Sequence, residues 1–294
     1  MQLLHSHQFS TPEASPATQS LLQKITEADL RAWVIRIARP RHFLTEPDQN
    51  RATASWLAEM LRSFHYEVEL QGPSQNVVAL PKSLTSVTVL GAHYDSVPGS
   101  PGADDNASAV AALLACASSL AGTAHRVIFV AFNREEDGFM GSREFVEEFL
   151  HARSIGVQCA HILEMIGYAS DAPGSQHLPT ALPIQLPDTG NFLGLLSNNQ
   201  SAEAMRQILQ LTRAYAPALP VTGLTVVPGA ERVFPVLARS DHVPFWLRQI
   251  PAIMWTDTAE FRNPNYHEPS DTPDTLNYAF LKQVTQLLTA TLAS

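Results

Sequence analysis

Short, nearly unbroken apolar runs alternate along this chain with stretches of helical periodicity. Val77-Val78-Ala79-Leu80, Val87-Thr88-Val89-Leu90-Gly91-Ala92 and Val127-Ile128-Phe129-Val130-Ala131-Phe132 have the pattern of strands buried on both faces of a sheet. Between the last two, residues 107–120 are rich in Ala and Leu, with Asn106 placed to cap the start and Gly122 just past the end. Helical spacing also marks residues 21–38 and 48–64, where Ala54, Leu57, Ala58 and Leu61 share one face. Further strands are predicted at Ile162-Leu163, at residues 192–196 and at Ala252-Ile253-Met254-Trp255, with a last helix near 277–292. This alternation predicts an α/β three-layer sandwich, with a central, largely parallel mixed sheet and helices on both faces.

Two regions depart from the rhythm. Residues 1–20 are polar and rich in Pro, Ser and Thr, and read as a flexible tail before a single catalytic domain over 21–294. Residues 169–190 hold Pro173, Pro179, Pro183 and Pro187 and read as a long surface loop bordering a cleft, to which the loop at 224–240 would contribute.

Composition narrows the function. The chain is 45% hydrophobic and 16% charged, which is globular rather than disordered. A net charge of −9 argues against nucleic acid or an anionic membrane as partner, since both select basic surfaces. No apolar run approaches the ~20 residues that span a bilayer. The start, Met1-Gln2-Leu3-Leu4-His5-Ser6-His7, lacks the basic and apolar segments of a signal peptide, so the expectation is cytoplasmic, with export after signal removal as the alternative. Cys116 and Cys159 sit in apolar settings and read as packing.

Polar clusters follow each predicted strand, where open α/β sheets bind ligands. These are His93-Tyr94-Asp95, Glu135-Glu136-Asp137, Glu164 and Tyr266-His267, with Asp104-Asp105-Asn106 at a helix start. Two His and several carboxylates suit Zn²⁺, with Co²⁺ or Mn²⁺ as substitutes. Two such ions would be balanced by three carboxylates and a hydroxide. His93 and Asp95, two apart on extended backbone, point to one side, so Asp95 would orient a ligating imidazole. Glu135 and Glu136 are adjacent and cannot both face one metal on regular strand geometry. One would bind metal and the other act as general base.

Five segments, in order, carry a resemblance: Gly91-Ala92-His93-Tyr94-Asp95-Ser96, residues 101–108 (Pro-Gly-Ala-Asp-Asp-Asn-Ala-Ser), residues 135–142 (Glu-Glu-Asp-Gly-Phe-Met-Gly-Ser), Leu163-Glu164-Met165-Ile166-Gly167-Tyr168, and Asn263-Pro264-Asn265-Tyr266-His267. Together they resemble the co-catalytic di-zinc aminopeptidases, a metallopeptidase family that also contains the glutaminyl cyclases. The likeness runs from about residue 30 to the C-terminus. It implies a zinc-peptidase-like (phosphorylase/hydrolase-like) fold and release of the first residue of a peptide with a free N-terminus. It further implies one zinc on His93 and Glu164, a second on Glu136 and His267, Asp105 bridging, Glu135 as general base to a metal-bridging hydroxide, Asp95 orienting His93, and a cis bond at Asp105–Asn106. Ala109 and Glu164 depart from the commoner Gly and Asp of the family. Asp241, His242 and Tyr266 are second-tier candidates for the substrate cleft. Asp104 reads as a helix-dipole acid and Ser142 as a helix cap.

Two competitors remain. A single-zinc glutaminyl cyclase would tend to lack the segment at 104–108 and to carry a His where Met254 stands. A non-catalytic relative would have lost ligands that are all present here.

Overall fold

Alternate residues of the central strands serve two different cores. Phe129 and Ala131 face one side with Leu90, Ala92 and Leu163, whereas Ile128, Val130 and Phe132 face the other with Val87, Val89 and Ile162. Strands buried on both faces have no use for polar positions, which is why these runs are continuously apolar. The computed structural model describes residues 1–179 and 182–294. Within them lie β1 (Gln2–His5), β2 (Glu67–Gln71), β3 (Asn76–Leu80), β4 (Val87–His93), β5 (Val127–Phe132), β6 (Val157–Glu164), β7 (Leu193–Ser197), β8 (Val221–Thr225) and β9 (Ala252–Thr256). They form one mixed sheet in the order β1-β8-β7-β9-β6-β4-β5-β3-β2. The predicted parallel arrangement holds for its middle, β9-β6-β4-β5, while β7 meets β9 antiparallel and β3 meets β5 antiparallel.

The helices are α1 (Pro16–Leu22), α2 (Glu27–Ile37), α3 (Pro47–Ser63), α4 (Ala109–Leu120), α5 (Met140–Glu144, continued by a wider-wound segment, Phe145–His151), α6 (Ala202–Tyr215), α7 (Ala230–Val233), α8 (His242–Leu247) and α9 (Tyr278–Leu292). Helices α1, α2, α3, α4, α6 and α9 pack on the first face, with α4 inserted so deeply that Val110, Leu113 and Leu114 are fully buried. The other face is covered by α8 and the Phe145–His151 segment, where Phe132, Phe145 and Phe245 meet edge-on or tilted. Fully burying an aromatic or large aliphatic side chain contributes roughly 1.5–3 kcal/mol, so these two layers carry the sheet. Both cysteines are free and buried, with their thiols pushed up to about 12 by burial.

Several expectations need correction. Residues 1–20 are not a loose tail. Gln2–His5 pairs antiparallel with β8, and Pro16–Leu22 is helical with Pro at its first turn. The predicted helix 21–38 is interrupted, and α2 starts afresh with Thr26 capping the Asp29 amide. Residues 224–240 are not one loop: they begin in β8 and include α7. The expected loop 169–190 holds no strand or helix among its described residues; Thr180 and Ala181 lie outside them. Asn106 does not cap α4. Its amide donates to the Leu163 carbonyl and accepts the Met165 amide, tying this turn to the end of β6. Ser142 lies inside α5 rather than at its cap.

Candidate metal centre

The carboxyl ends of β4, β5 and β6 lie side by side, so the residues that follow them converge. His93 ends β4 and Glu164 ends β6. Glu135 and Glu136 stand in the loop after β5, Asp105 in the turn before α4, and His267 in the connection from β9 to α9. Nε2 of His93 lies 3.3 Å from Oδ1 of Asp105 and 3.6 Å from Oε1 of Glu164. Nε2 of His267 lies 3.2 Å from the other Asp105 oxygen, Oδ2, and 3.6 Å from Oε2 of Glu136. Asp105 thus stands between two triads, His93–Asp105–Glu164 and Asp105–Glu136–His267, each with its donor atoms within 4.8 Å of one another.

A third group with that spacing joins His93, Glu135 and Glu136. The strand-geometry argument that separated the two glutamates therefore fails. β5 ends at Phe132, and Arg134 takes a left-handed φ of 63°, turning the chain before Glu135. Asp95 holds this turn, accepting the Glu135 and Glu136 amides at 3.2 and 3.3 Å, while its Oδ1 stands 3.4 Å from Nδ1 of His93.

The turn carrying Asp105 is braced from several directions. Gly102 has a φ of 56°, and a Cβ there would sit 2.1 Å from the Asp105 carbonyl, so glycine is required. Asp105–Asn106 is cis, as the resemblance implied. Asp271 accepts the amides of both Asp104 and Asp105. Asp104, expected as a helix-dipole acid, also has specific partners of its own. It is fully buried and accepts from Gly167, Ser108 and Asn263. Arg41, also buried, donates to the carbonyls of Tyr94, Pro101 and Gly102, clamping the loop between His93 and Asp105. Arg41 and Asp271 were not anticipated; their partners are backbone groups, which leave no mark in a sequence.

The donor set fits divalent cations. Nε2 of His93, Oδ1 of Asp105 and Oε1 of Glu136 are buried without hydrogen-bond partners. Buried polar atoms left so are costly unless an ion or water meets them. The charge balance points the same way. Burial and the nearby Asp105 push Glu136 up to about 10. Burial also holds Glu135 well above the usual carboxylate range, against the pull of His93. Burial would raise Asp105 too, but contacts with His267 and His93 outweigh it and hold it low. Burial disfavours charge on His93, yet Glu164 and Asp105 raise it. Carboxylates crowded to this degree call for positive charge among them.

The second-tier residues divide. Tyr266 stacks on His267 with ring centroids 3.7 Å apart and lines a cavity that begins at Glu164. His242 is buried, with Nε2 on the Leu237 carbonyl and its ring against Trp246, and it lines no part of that cavity. Asp241 is likewise buried and outside the cavity. Burial raises it to about 7, and His93, Glu164 and Asp95 lie close enough to act on it. In this segment the residue in contact with the cluster is Ser240, whose hydroxyl donates to Oε2 of Glu164 at 2.6 Å. The sequence singled out Asp241 and His242 in this segment and not Ser240.

Residues 76–292 match the model of peptidase family M28. The chain belongs to this family. It is 39% identical over 227 residues to the uncharacterized protein YfbL of Escherichia coli, covering 72% of this chain and 68% of that protein. Against aminopeptidase YwaD of Bacillus subtilis it is 27% identical over 226 residues, 74% of this chain but only 44% of YwaD. Among solved structures, the LapA aminopeptidase of Legionella pneumophila superposes with a TM-score of 0.74 at 18% identity, over 97% of this chain and 77% of LapA. A glutaminyl cyclase of Macrostomum lignano superposes with 0.69 at 17% identity, over 97% and 95%. Both likenesses describe the fold, which the M28 peptidases share with the cyclases. No helix among the described residues is long and apolar enough to cross a membrane.

Proposed function

We propose that this M28 chain is a zinc-dependent aminopeptidase that releases the first residue of peptides with a free N-terminus. The observation that carries the reading is the position of Asp105, whose two carboxylate oxygens each approach a different imidazole. His93 and Glu164 would hold one Zn²⁺ and Glu136 and His267 another, with Asp105 shared. When bound, such ions supply Lewis acidity toward a scissile carbonyl and make water a better nucleophile.

The chain's own residues supply the rest. Glu135 shares a donor cluster with His93 and Glu136 and is the carboxylate left over once the two ligand sets are filled. It would take a proton from the attacking water and return it to the departing amine. Asp95 stands 3.4 Å behind Nδ1 of His93, from where it would orient the imidazole of the bound ligand, and it accepts the amides of Glu135 and Glu136 in the same frame. Ser240 occupies one oxygen of Glu164 and leaves the other toward His93.

The test is a release assay with amino-acyl anilides and short peptides, with and without chelator, run beside a cyclisation assay on a peptide beginning with glutamine. Chelator-sensitive release without cyclisation supports the reading. Cyclisation alone would replace it.

A further inference from the structure

Helix α3 carries a polar residue on its apolar face. Ala54, Leu57, Ala58 and Leu61 are buried there against the core, and Asn50, about two turns before Leu57, is buried on the same side. A buried amide is costly unless its donors and acceptor are met. All of them are met here. Nδ2 of Asn50 donates to the Arg41 carbonyl at 2.8 Å and to Oδ1 of Asn133 at 2.9 Å, and Oδ1 of Asn50 accepts from Nδ2 of Asn133 at 3.0 Å. Asn133, also buried, donates in addition to the Ser74 carbonyl, and its Oδ1 accepts the Arg134 amide.

This pair of amides joins two loops. Asn133 is the residue after β5, and the chain runs from it into Glu135 and Glu136. Arg41, whose carbonyl Asn50 holds, is fully buried and sends its guanidinium to the carbonyls of Tyr94, Pro101 and Gly102, in the loop from His93 to Asp105. The Arg41 amide adds a bond to the Ser96 hydroxyl. A buried network whose members are all satisfied is rigid and specifies one arrangement. Burial lowers Arg41 to about 10 while Asp95, Asp105, Asp271 and Glu136 pull it upward, so the guanidinium stays charged and is drawn toward the acidic cluster.

The two candidate triads are tied down differently. Asp105 is joined to Glu164 through Asn106, which bonds the backbone on either side of Glu164, at Leu163 and Met165. His93 and Glu164 end adjacent parallel strands, β4 and β6. Glu136 lies beyond the end of β5, and its loop is held to the loop from His93 to Asp105 through Asp95 and through Asn133.

We infer that Arg41 and Asn50 are positioning residues: with Asn133 they form a clasp that sets the gap between the loop from His93 to Asp105 and the loop of Glu135 and Glu136, so that the Asp105–Glu136–His267 triad depends on the clasp and the His93–Asp105–Glu164 triad does not. The inference rests on the zinc aminopeptidase reading only where it concerns metal affinity; the clasp itself belongs to the metal-free chain. It gives α3, which supplies no candidate ligand, a part in building the site.

The experiment compares the full chain with Asn50→Ala and, as a control, with Leu57→Ala, which removes apolar contacts from the same helix face and leaves the amide network intact. In the metal-free proteins, hydrogen exchange read by mass spectrometry accelerates about tenfold or more over residues 133–140 in Asn50→Ala, while residues 163–167 stay within about twofold of the parent. Leu57→Ala lowers the melting temperature without this contrast between the two stretches. In competition with a chromogenic chelator, Asn50→Ala weakens one of two zinc equivalents by about 10–100-fold and leaves the other within about threefold. Exchange at 133–140 that is unaltered, or raised equally by Leu57→Ala, overturns the inference, and so do zinc affinities that both hold or both fall. If Asn50→Ala fails to fold, Asn50→Asp decides, since it keeps the acceptor for Asn133 and loses both donated bonds. If the parent binds no zinc and releases no residue from any substrate, the aminopeptidase reading fails separately, and the exchange contrast alone decides the clasp.

Discussion

Asp95 Oδ1 lies 3.4 Å from Nδ1 of His93, and the same carboxylate accepts the amides of Glu135 and Glu136. One buried side chain thus stands behind the imidazole of a candidate ligand and holds the loop of the candidate base. Asp95→Asn keeps the shape but gives up the negative charge and replaces one acceptor oxygen with a donor. The expected result is a folded protein whose zinc affinity falls by about 10–100-fold, read by competition with a chromogenic chelator. Unchanged affinity would remove Asp95 from this role.

Glu135→Gln preserves volume and removes the proton acceptor. The variant should bind as much zinc as the parent while kcat falls by about 10²–10⁴-fold. Metal analysis and steady-state kinetics on the same preparation give both numbers. A variant with near-parental turnover would assign the base elsewhere.

Two triads sharing Asp105 predict two zinc equivalents per chain. His267→Ala should retain one equivalent, because His93, Asp105 and Glu164 are untouched. Asp105→Ala should lower both sites. Loading with metal should raise the melting temperature of the parent by mass action, in proportion to the logarithm of free zinc. One equivalent in the parent would contradict the shared-ligand arrangement.

His161 gives a pH prediction independent of the metal centre. Burial lowers its pKa to about 4, and its Nδ1 accepts the Trp255 indole N–H. The unfolded chain, with an ordinary imidazole near 6.5, binds the proton more readily than the folded one. Stability from this group is therefore complete above about 6.5 and falls as pH drops toward 4. Between pH 7 and pH 5 the loss is on the order of 2 kcal/mol. His161→Gln, which keeps an acceptor for Trp255, should flatten the urea midpoint over this interval. An equal pH dependence in parent and variant would place the acid sensitivity in other groups.

The central strands were legible because burial on both faces leaves only apolar residues, as in Val127–Phe132. The N-terminal strand was not. Gln2–His5 has only two apolar residues, and its pairing is decided by the open edge of Val221–Thr225, more than 200 residues away. The strand Val221–Thr225 was itself hidden by its Thr and Gly residues. The proposed ligands were legible because His and carboxylates at strand ends are unusual when uncharged packing is the alternative. Their supports were not: Arg41 works through carbonyls, Asp271 through amides and Asn106 through the backbone of β6. These contacts depend on where the chain passes, and side-chain identity alone does not encode that.

The convergence of separate strand ends also sets the order of assembly. The nearest two members of the ligand set, His93 and Asp105, are twelve positions apart, and His267 arrives from beyond five further strands. No hairpin or lone helix could present even one complete triad. A half-folded chain offers scattered weak chelators, and only the finished sheet offers a cage. On the proposed zinc reading, metal uptake would certify completed folding rather than seed it.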